Sequence, residues 1–446
     1  MSAELSEPTS TIAAAAAATP DTASAEAGAT RRGRFSLSRR QWVIFSVLAV
    51  WGPGLIVMLA DTDAGCIITA AQSGTQFGYT MVLPQLALMP VLYAVQEITV
   101  RLGVVTGKGH GQLIREQFGF RWGLVSAGTL LLSAVGALLT EFAGVAGVGE
   151  LFGISKWVTV PTTTAFLIGL AFTGSYRRAE RIGIAIGLAE LTFVPAMLLA
   201  HPKVHDLFQG LHTFPVGNSQ YFYLLAANIG AVIMPWMIFY QQSAVVQRKL
   251  TIENLRRSRQ DTAVGTVLTQ GIMIVVVITL AATVGRKDAG ATLNNVGQIT
   301  GALTPYLGSN TAKVLIGASI LGGALVAALV VSLAGSWGIA EVLGWKHSLN
   351  ERISRKNAKF YVTYTLAHLV GAVLVLASVD LVGLAVDCEV MNALLLPIVL
   401  GFLLALEAKA LPAEHRMRGG YRIAVTAVCV IVMGFGLYMV PSTLGF

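Results

Sequence analysis

Asp61 and Asp63 are carboxylates where a carboxylate is hard to keep. They lie two residues apart in an apolar stretch, residues 51–74, WGPGLIVMLADTDAGCIITAAQSG. An Asp at the centre of a membrane-spanning helix costs about 2.5–3.5 kcal/mol on insertion scales, so two of them beside Gly65 need a compensating role. One reading is a pair of acids near a helix end, solvated at the headgroups, although apolar sequence lies on both sides. The other is a helix unwound at mid-membrane, with carboxylates and freed carbonyls turned towards a cation. Irregular backbone is tolerated at that depth only where it lines a cavity or is buried in protein. A second stretch, residues 228–247, NIGAVIMPWMIFYQQSAVVQ, carries its own break at Pro235. Proline has no N–H, so the carbonyl of Ala231, four residues back, loses its helical donor. The Met234 thioether lies less than one turn away. Two interrupted helices in corresponding places of two halves are the sequence sign of a transport site.

Other polar groups sit deep in apolar sequence. Glu141, in ALLTEFAGVAGVG, is followed by small residues that allow close helix packing, and as an intramembrane acid it is a candidate for handling protons or ions. Glu190, in GLAELTF, reads equally as a helix–helix hydrogen bond or as a group facing a water cavity. Glu389 and Asn392 are three apart and share a helix face, which looks either at solvent at a helix start or into the space between the two broken helices. Glu97, four residues before Arg101, has the spacing of an ion pair. Of the histidines, His110, His201, His205, His212, His347 and His415 fall in loops, only His368 lies within an apolar run, and none has the spacing to cysteine of a zinc site. The segment 106–119, TGKGHGQLIREQFG, reads as a Gly-rich turn and a short amphipathic helix. It lacks the strand–helix context and the Ser/Thr after Lys of a phosphate loop. No Ser–His–Asp or Walker arrangement supports an enzyme or an ATP-driven pump, and no cofactor is expected.

These groups need elements long enough to cross a bilayer. The chain has 446 residues, 54% hydrophobic and 12% charged, with a mean hydropathy of +0.69; soluble domains carry about 25% charged residues. Eleven spans are expected, at 42–74, 80–103, 122–147, 157–174, 182–200, 220–247, 262–285, 312–335, 359–379, 382–407 and 421–442. The breaks in spans 1 and 6 suggest two inverted five-helix repeats with span 11 appended. Residues 1–40, rich in Ala, Ser, Thr and Glu, read as a disordered cytoplasmic tail that ends in Arg31, Arg32, Arg34, Arg39 and Arg40. Residues 41–446 then form a single transmembrane domain. With the N-terminus inside, 26 of the 31 Lys and Arg lie on the cytoplasmic side, and only Lys156, Lys203, Arg286, Lys287 and Lys313 lie outside. The net charge of +8 is therefore an orientation signal in a lipid bilayer, and no nucleic-acid partner is implied. Cys66, Cys388 and Cys429 all fall in apolar segments, against a disulfide framework.

Four stretches, GPGLIVMLADTDAGC (52–66), VRLGVVTGKGHGQLIREQFG (100–119), SYRRAERIGIAIGLAEL (175–191) and GAVIMPWMIFYQQSAVVQ (230–247), resemble the Nramp family of divalent metal transporters. The resemblance runs from about residue 42 to 442. It implies eleven helices in a LeuT-like fold and import of Mn²⁺ or Fe²⁺, usually with proton co-transport. The family's Asp-Pro-Gly-Asn falls on Asp63, Ala64, Gly65 and Cys66, which keeps the metal-binding Asp and turns its Asn partner into Cys66. Its Ala-x-x-Met-Pro-His falls on Ala231, Met234, Pro235 and Trp236, which keeps the carbonyl and thioether ligands and loses the His of the proton path. Its span-3 acid pair falls on Leu138 and Glu141, so one acid remains. A span-10 Gln of the metal shell falls on Glu389.

The expected protein is a monomeric, all-α secondary transporter of the cytoplasmic membrane whose substrate is a divalent metal ion. Asp63, Cys66, Ala231, Met234 and Glu389 form the expected ligand set, with Asp61 and Asn392 as neighbours. A thioether favours Mn²⁺ or Fe²⁺ over Mg²⁺, while an added carboxylate favours harder ions. The alternative is the Nramp-related, proton-independent Mg²⁺ type, which generally lacks the methionine. A LeuT-fold amino-acid carrier would need neutral polar groups around an anionic substrate, whereas this site is acidic.

Overall fold

The computed structural model describes residues 52–172, 188–288, 290–346, 354, 355 and 357–443. The expected tail, 1–40, the start of the first span and residues 182–187 of the fifth lie outside them. All regular structure among the described residues is helical. In chain order the described helices longer than one turn are α1 (Pro53–Asp61), α2 (Ala64–Phe77), α3 (Val82–Thr106), α4 (His110–Phe118), α5 (Phe120–Leu151), α6 (Lys156–Phe172), α7 (Phe193–Leu199), α8 (Val204–Gly210), α9 (Ser219–Val232), α10 (Pro235–Gln247), α11 (Leu255–Ala282), α12 (Val296–Leu307), α13 (Ser309–Leu343), α14 (Ala358–Ala377), α15 (Leu381–Ala410) and α16 (Gly419–Thr443). Short 3₁₀ turns, one of them Leu188–Thr192, join some of these.

Eight stretches among the described residues are long and apolar enough to cross a membrane. They do not map one to one onto the eleven expected spans. Ala64–Thr106 contains parts of two of those spans. The expected span 157–174 is the 17-residue α6, and of the span at 182–200 the described part is one 3₁₀ turn and the seven-residue α7. The outer helices carry apolar side chains on their exposed faces, among them Trp157, Val373, Ile423 and Ile431. Exposed apolar surface on this scale marks contact with lipid, and the chain is an integral membrane protein.

The broken helices lie in the centre. The α5 helix packs against α13 and α15, α15 packs against α9 and α2, and α11 packs against α1 and α2. At the α1 end the first turn is held from outside. Asp261 of α11 accepts from the amides of Gly52 (3.0 Å), Gly54 (2.9 Å) and Leu55 (3.3 Å), satisfying donors that a helix start leaves open. Near the C-terminal end of α2 and the N-terminal ends of α9 and α15 lies a cavity of about 590 Å³, whose walls include Gln72, Gln76, Asn218, Tyr223 and Asp387.

The short helix expected after span 2 is α4, but His110 is not a loop residue. It opens α4, fully buried, with Nδ1 2.9 Å from Gln242 Oε1 and its ring edge-on to Phe239. Gln242 in turn donates to the Lys108 carbonyl (2.9 Å), and Glu341 of α13 accepts from the Gly111 amide (3.1 Å) and the Ser243 hydroxyl (2.6 Å). This network fastens α4 to α10 and α13. The expected Glu97–Arg101 ion pair is present and is extended by Arg259 at 2.7 Å and the Tyr421 hydroxyl at 3.3 Å.

Candidate metal site

Both sequence breaks are breaks in the backbone. α1 stops at Asp61; Thr62 leaves helical geometry with ψ 51, Asp63 is extended with ψ 179, and α2 starts at Ala64. Asp63 caps the new helix by accepting from the Cys66 amide at 2.7 Å, as an N-cap Asp does. The second break has Ile233 at ψ 75 and Met234 at ψ 135, with Pro235 as first residue of α10, where its missing N–H does no harm. The carbonyl of Ala231, freed by Pro235, is taken by the Cys66 thiol, which donates to it at 3.1 Å. One side chain therefore bridges the two breaks.

Three groups expected at the site meet there. One ligand atom each from Asp63, Cys66 and Glu389 lie within 4.8 Å of one another, and all three residues are buried. Glu389 sits in the third turn of α15, fully buried, which rules out a solvated helix start. Its Oε2 accepts from Asn392 Nδ2 at 3.0 Å, and Asn392 Oδ1 accepts from Ser133 at 2.8 Å. Asn392 thus spends its polar atoms holding Glu389 rather than reaching a cation. Gly65 makes room for this carboxylate: a Cβ there would lie 2.9 Å from Thr140 Oγ1 and closer still to Glu389 Oε1.

The remaining expected residues take different places. The Met234 sulfur is buried beside the break and accepts from Trp236 Nε1 at 2.9 Å, so the indole orients the thioether. Glu141 accepts from the Ala64 amide at 3.2 Å and lies 3.4 Å from Thr140 Oγ1, an anion at a helix N-terminus. Asp61 ends α1, buried, outside the three-residue group, with neither oxygen hydrogen-bonded. Leu138 is part of the apolar core.

The unpaired oxygens define what the site can do. Asp63 Oδ2, Glu389 Oε1 and both oxygens of Asp61 are buried without a hydrogen-bond partner, and none of the ion pairs among the described residues involves these acids. A buried carboxylate without partner or counter-charge is strongly destabilising. A cation between Asp63, Cys66 and Glu389 would supply the missing charge, and the donor set mixes two hard oxygens with a soft sulfur. Glu190, in the Leu188–Thr192 turn, lies outside this three-residue group, fully buried beside the Thr62 side chain.

The family model for natural resistance-associated macrophage protein-like chains, Nramp, matches residues 54–442, and the chain belongs to this family. A relative from Chromohalobacter salexigens, named divalent metal cation transporter MntH, is 27% identical over 311 residues, covering 66% of this chain and 70% of the relative. Among solved structures, the Eremococcus coleocola manganese transporter superposes with a TM-score of 0.73 at 18% identity, over 92% of this chain and 89% of that one. MHP1, a nucleobase-cation-symport-1 family transporter, superposes with a TM-score of 0.56 at 13% identity, over 87% and 90% of the two chains. The fold is the broken-helix transporter fold of these structures.

Proposed function

We propose that this protein is a secondary transporter that carries a divalent transition-metal ion, Mn²⁺ foremost, by alternating access around the two helix breaks. The observation that carries the reading is the convergence of unpaired Asp63 and Glu389 oxygens with the Cys66 sulfur between the breaks. Ala231 contributes its carbonyl and Met234 its thioether once the ion displaces the Cys66 contact. The cavity of about 590 Å³ beyond α2 is the outer vestibule, and the Asp261 clamp on α1 closes the inner path. The N-terminus is cytoplasmic, a reading that the distribution of Lys and Arg supports, residues 41–446 form one transporter domain, and the working unit is a monomer. Proton coupling is weak, because Trp236 does not titrate, Leu138 replaces one acid and Glu141 is engaged by the α2 amide.

A second reading, proton-independent Mg²⁺ transport, is favoured by the Glu389 carboxylate, a hard donor where the family has Gln. Uptake into proteoliposomes of Mn²⁺, Mg²⁺ and Ca²⁺, with and without a pH gradient, separates the two. The proposal expects saturable Mn²⁺ uptake that Mg²⁺ competes with poorly and that a pH gradient changes little. Mg²⁺ uptake equal to that of Mn²⁺ would replace it with the second reading.

A further inference from the structure

A cavity of about 510 Å³ lies where the loop after α10 meets α11, and its walls include Arg248, Leu250, Arg257 and Val264 together with Gly52 and Pro53 at the start of α1. That volume is within the range of about 300–1,000 Å³ usual for ligand pockets. Its polar end is cationic. The segment 248–261, RKLTIENLRRSRQD, carries five basic residues against two acids, Glu253 and Asp261. Asp261 also lines the cavity, but both its oxygens accept from α1 amides, and Arg259 is paired with Glu97. The other end is apolar and continues outwards: Val264 is 47% exposed and Val267, one turn further along α11, is 59% exposed. The cavity therefore sits at headgroup level, where a basic loop gives way to a helix face that meets lipid.

We propose that this cavity binds the headgroup of an anionic phospholipid, with the phosphate on Arg248 and Arg257 and the acyl chains along the exposed apolar face of α11. Guanidinium groups suit phosphate because their paired N–H donors match its oxygens. Two guanidiniums against the single Asp261 carboxylate leave one positive charge, which one phosphodiester balances. A zwitterionic headgroup brings its own cation to the same place and loses that advantage. In the topology proposed above the loop is cytoplasmic, on the leaflet whose negative surface attracts basic segments beside membrane helices. A lipid held there lies against Gly52 and Pro53, next to the Asp261 clamp, and adds to the hold on the start of α1.

The test is thermal unfolding of the purified full-length protein in neutral detergent at constant ionic strength. It is titrated with phosphatidylglycerol, with phosphatidylcholine of the same chains, or with inorganic phosphate. Neither membrane orientation nor a metal ion enters this measurement, so its outcome is separate from that of the transport reading. A ligand that binds only the folded state raises Tm saturably. The expected result is a saturable rise with phosphatidylglycerol that phosphatidylcholine and inorganic phosphate do not give. Arg257→Gln should raise the phosphatidylglycerol concentration at half-maximal shift about fivefold, the worth of one basic group at a lipid surface. Arg248→Gln combined with Arg257→Gln should abolish the shift. Lys346→Gln combined with Lys359→Gln removes the same charge from outside the cavity and should leave the shift intact. If the arginine pair does not fold without its charges, Arg257→Gln alone decides. No rise, an equal rise with phosphatidylcholine or inorganic phosphate, or an equal loss in the lysine and arginine variants overturns the proposal.

Discussion

The thiol of Cys66 donates to the carbonyl of Ala231 across 3.1 Å, and this contact joins the break between α1 and α2 to that between α9 and α10. Two proposed ligands therefore satisfy each other before the ion arrives. Sulfur at this position favours softer ions. Cys66→Asn, which exchanges the sulfur for an amide oxygen, is expected to weaken Cd²⁺ binding more than Mn²⁺ binding in calorimetric titrations. Cys66→Ala also strands the buried Ala231 carbonyl, which costs about 1–3 kcal/mol of stability and lowers Tm. Equal loss for both ions in Cys66→Asn would show that the sulfur is not a ligand.

Met234 is expected to set the ranking of ions and Glu389 the overall affinity. A thioether serves Mn²⁺ or Cd²⁺ and is a poor partner for Mg²⁺ or Ca²⁺, which prefer oxygen. Met234→Ala should weaken Mn²⁺ and Cd²⁺ and admit more Mg²⁺ or Ca²⁺, while Glu389→Gln should weaken every divalent ion in parallel. Competition uptake with the two variants measures both, and an unchanged ranking in Met234→Ala would sink the sulfur argument.

How far was this legible in the sequence? The breaks were, because each places something a helix cannot absorb at mid-membrane: Asp61 and Asp63 beside Gly65, and Pro235. The partners of the buried acids were not. Glu141 reads as a free intramembrane acid until α2 brings the Ala64 amide to it, and Asn392 reads as a neighbour of the metal until Ser133 takes its oxygen. Trp236 reads as a lost His, and only the rotation of the second break shows its indole on the Met234 sulfur. The helices α8 and α12 leave no clear sequence sign because they are short and lie between the long apolar runs. His110 looked like a loop residue in a Gly-rich segment, since burial against Gln242 and Phe239 comes from elements more than a hundred residues away.

His110 makes stability depend on pH. Burial pulls its pKa from 6.5 down to about 4, against an opposing contribution from the Gln242 contact. A folded-state pKa below the unfolded one means that the unfolded chain binds the proton first. The contribution is therefore fully present above pH 6.5 and is lost as pH falls through the window down to about 4, amounting to about 3 kcal/mol at full loss. Tm measured from pH 7.5 to 4.5 should fall more steeply for the native protein than for His110→Asn. Parallel profiles would contradict the assignment.

The clamp of Asp261 on the start of α1 should hold that end closed. Its carboxylate accepts from three amides, and charge-assisted hydrogen bonds are the strong ones. Losing even about 1.4 kcal/mol would raise the open population about tenfold. Asp261→Ala is expected to speed alkylation of buried Cys66 by a polar thiol reagent, followed site by site by mass spectrometry. An unchanged Cys66 rate would mean that the clamp does not gate the path.

The central claim is that the carboxylate in the first break holds the transported ion. Mn²⁺ binding to the purified protein by calorimetry, run on the native chain and on Asp63→Ala in parallel with thermal unfolding, tests it most directly. The account predicts saturable binding in the native protein and none in a variant that still unfolds cooperatively. Near-native Mn²⁺ affinity in folded Asp63→Ala would contradict it.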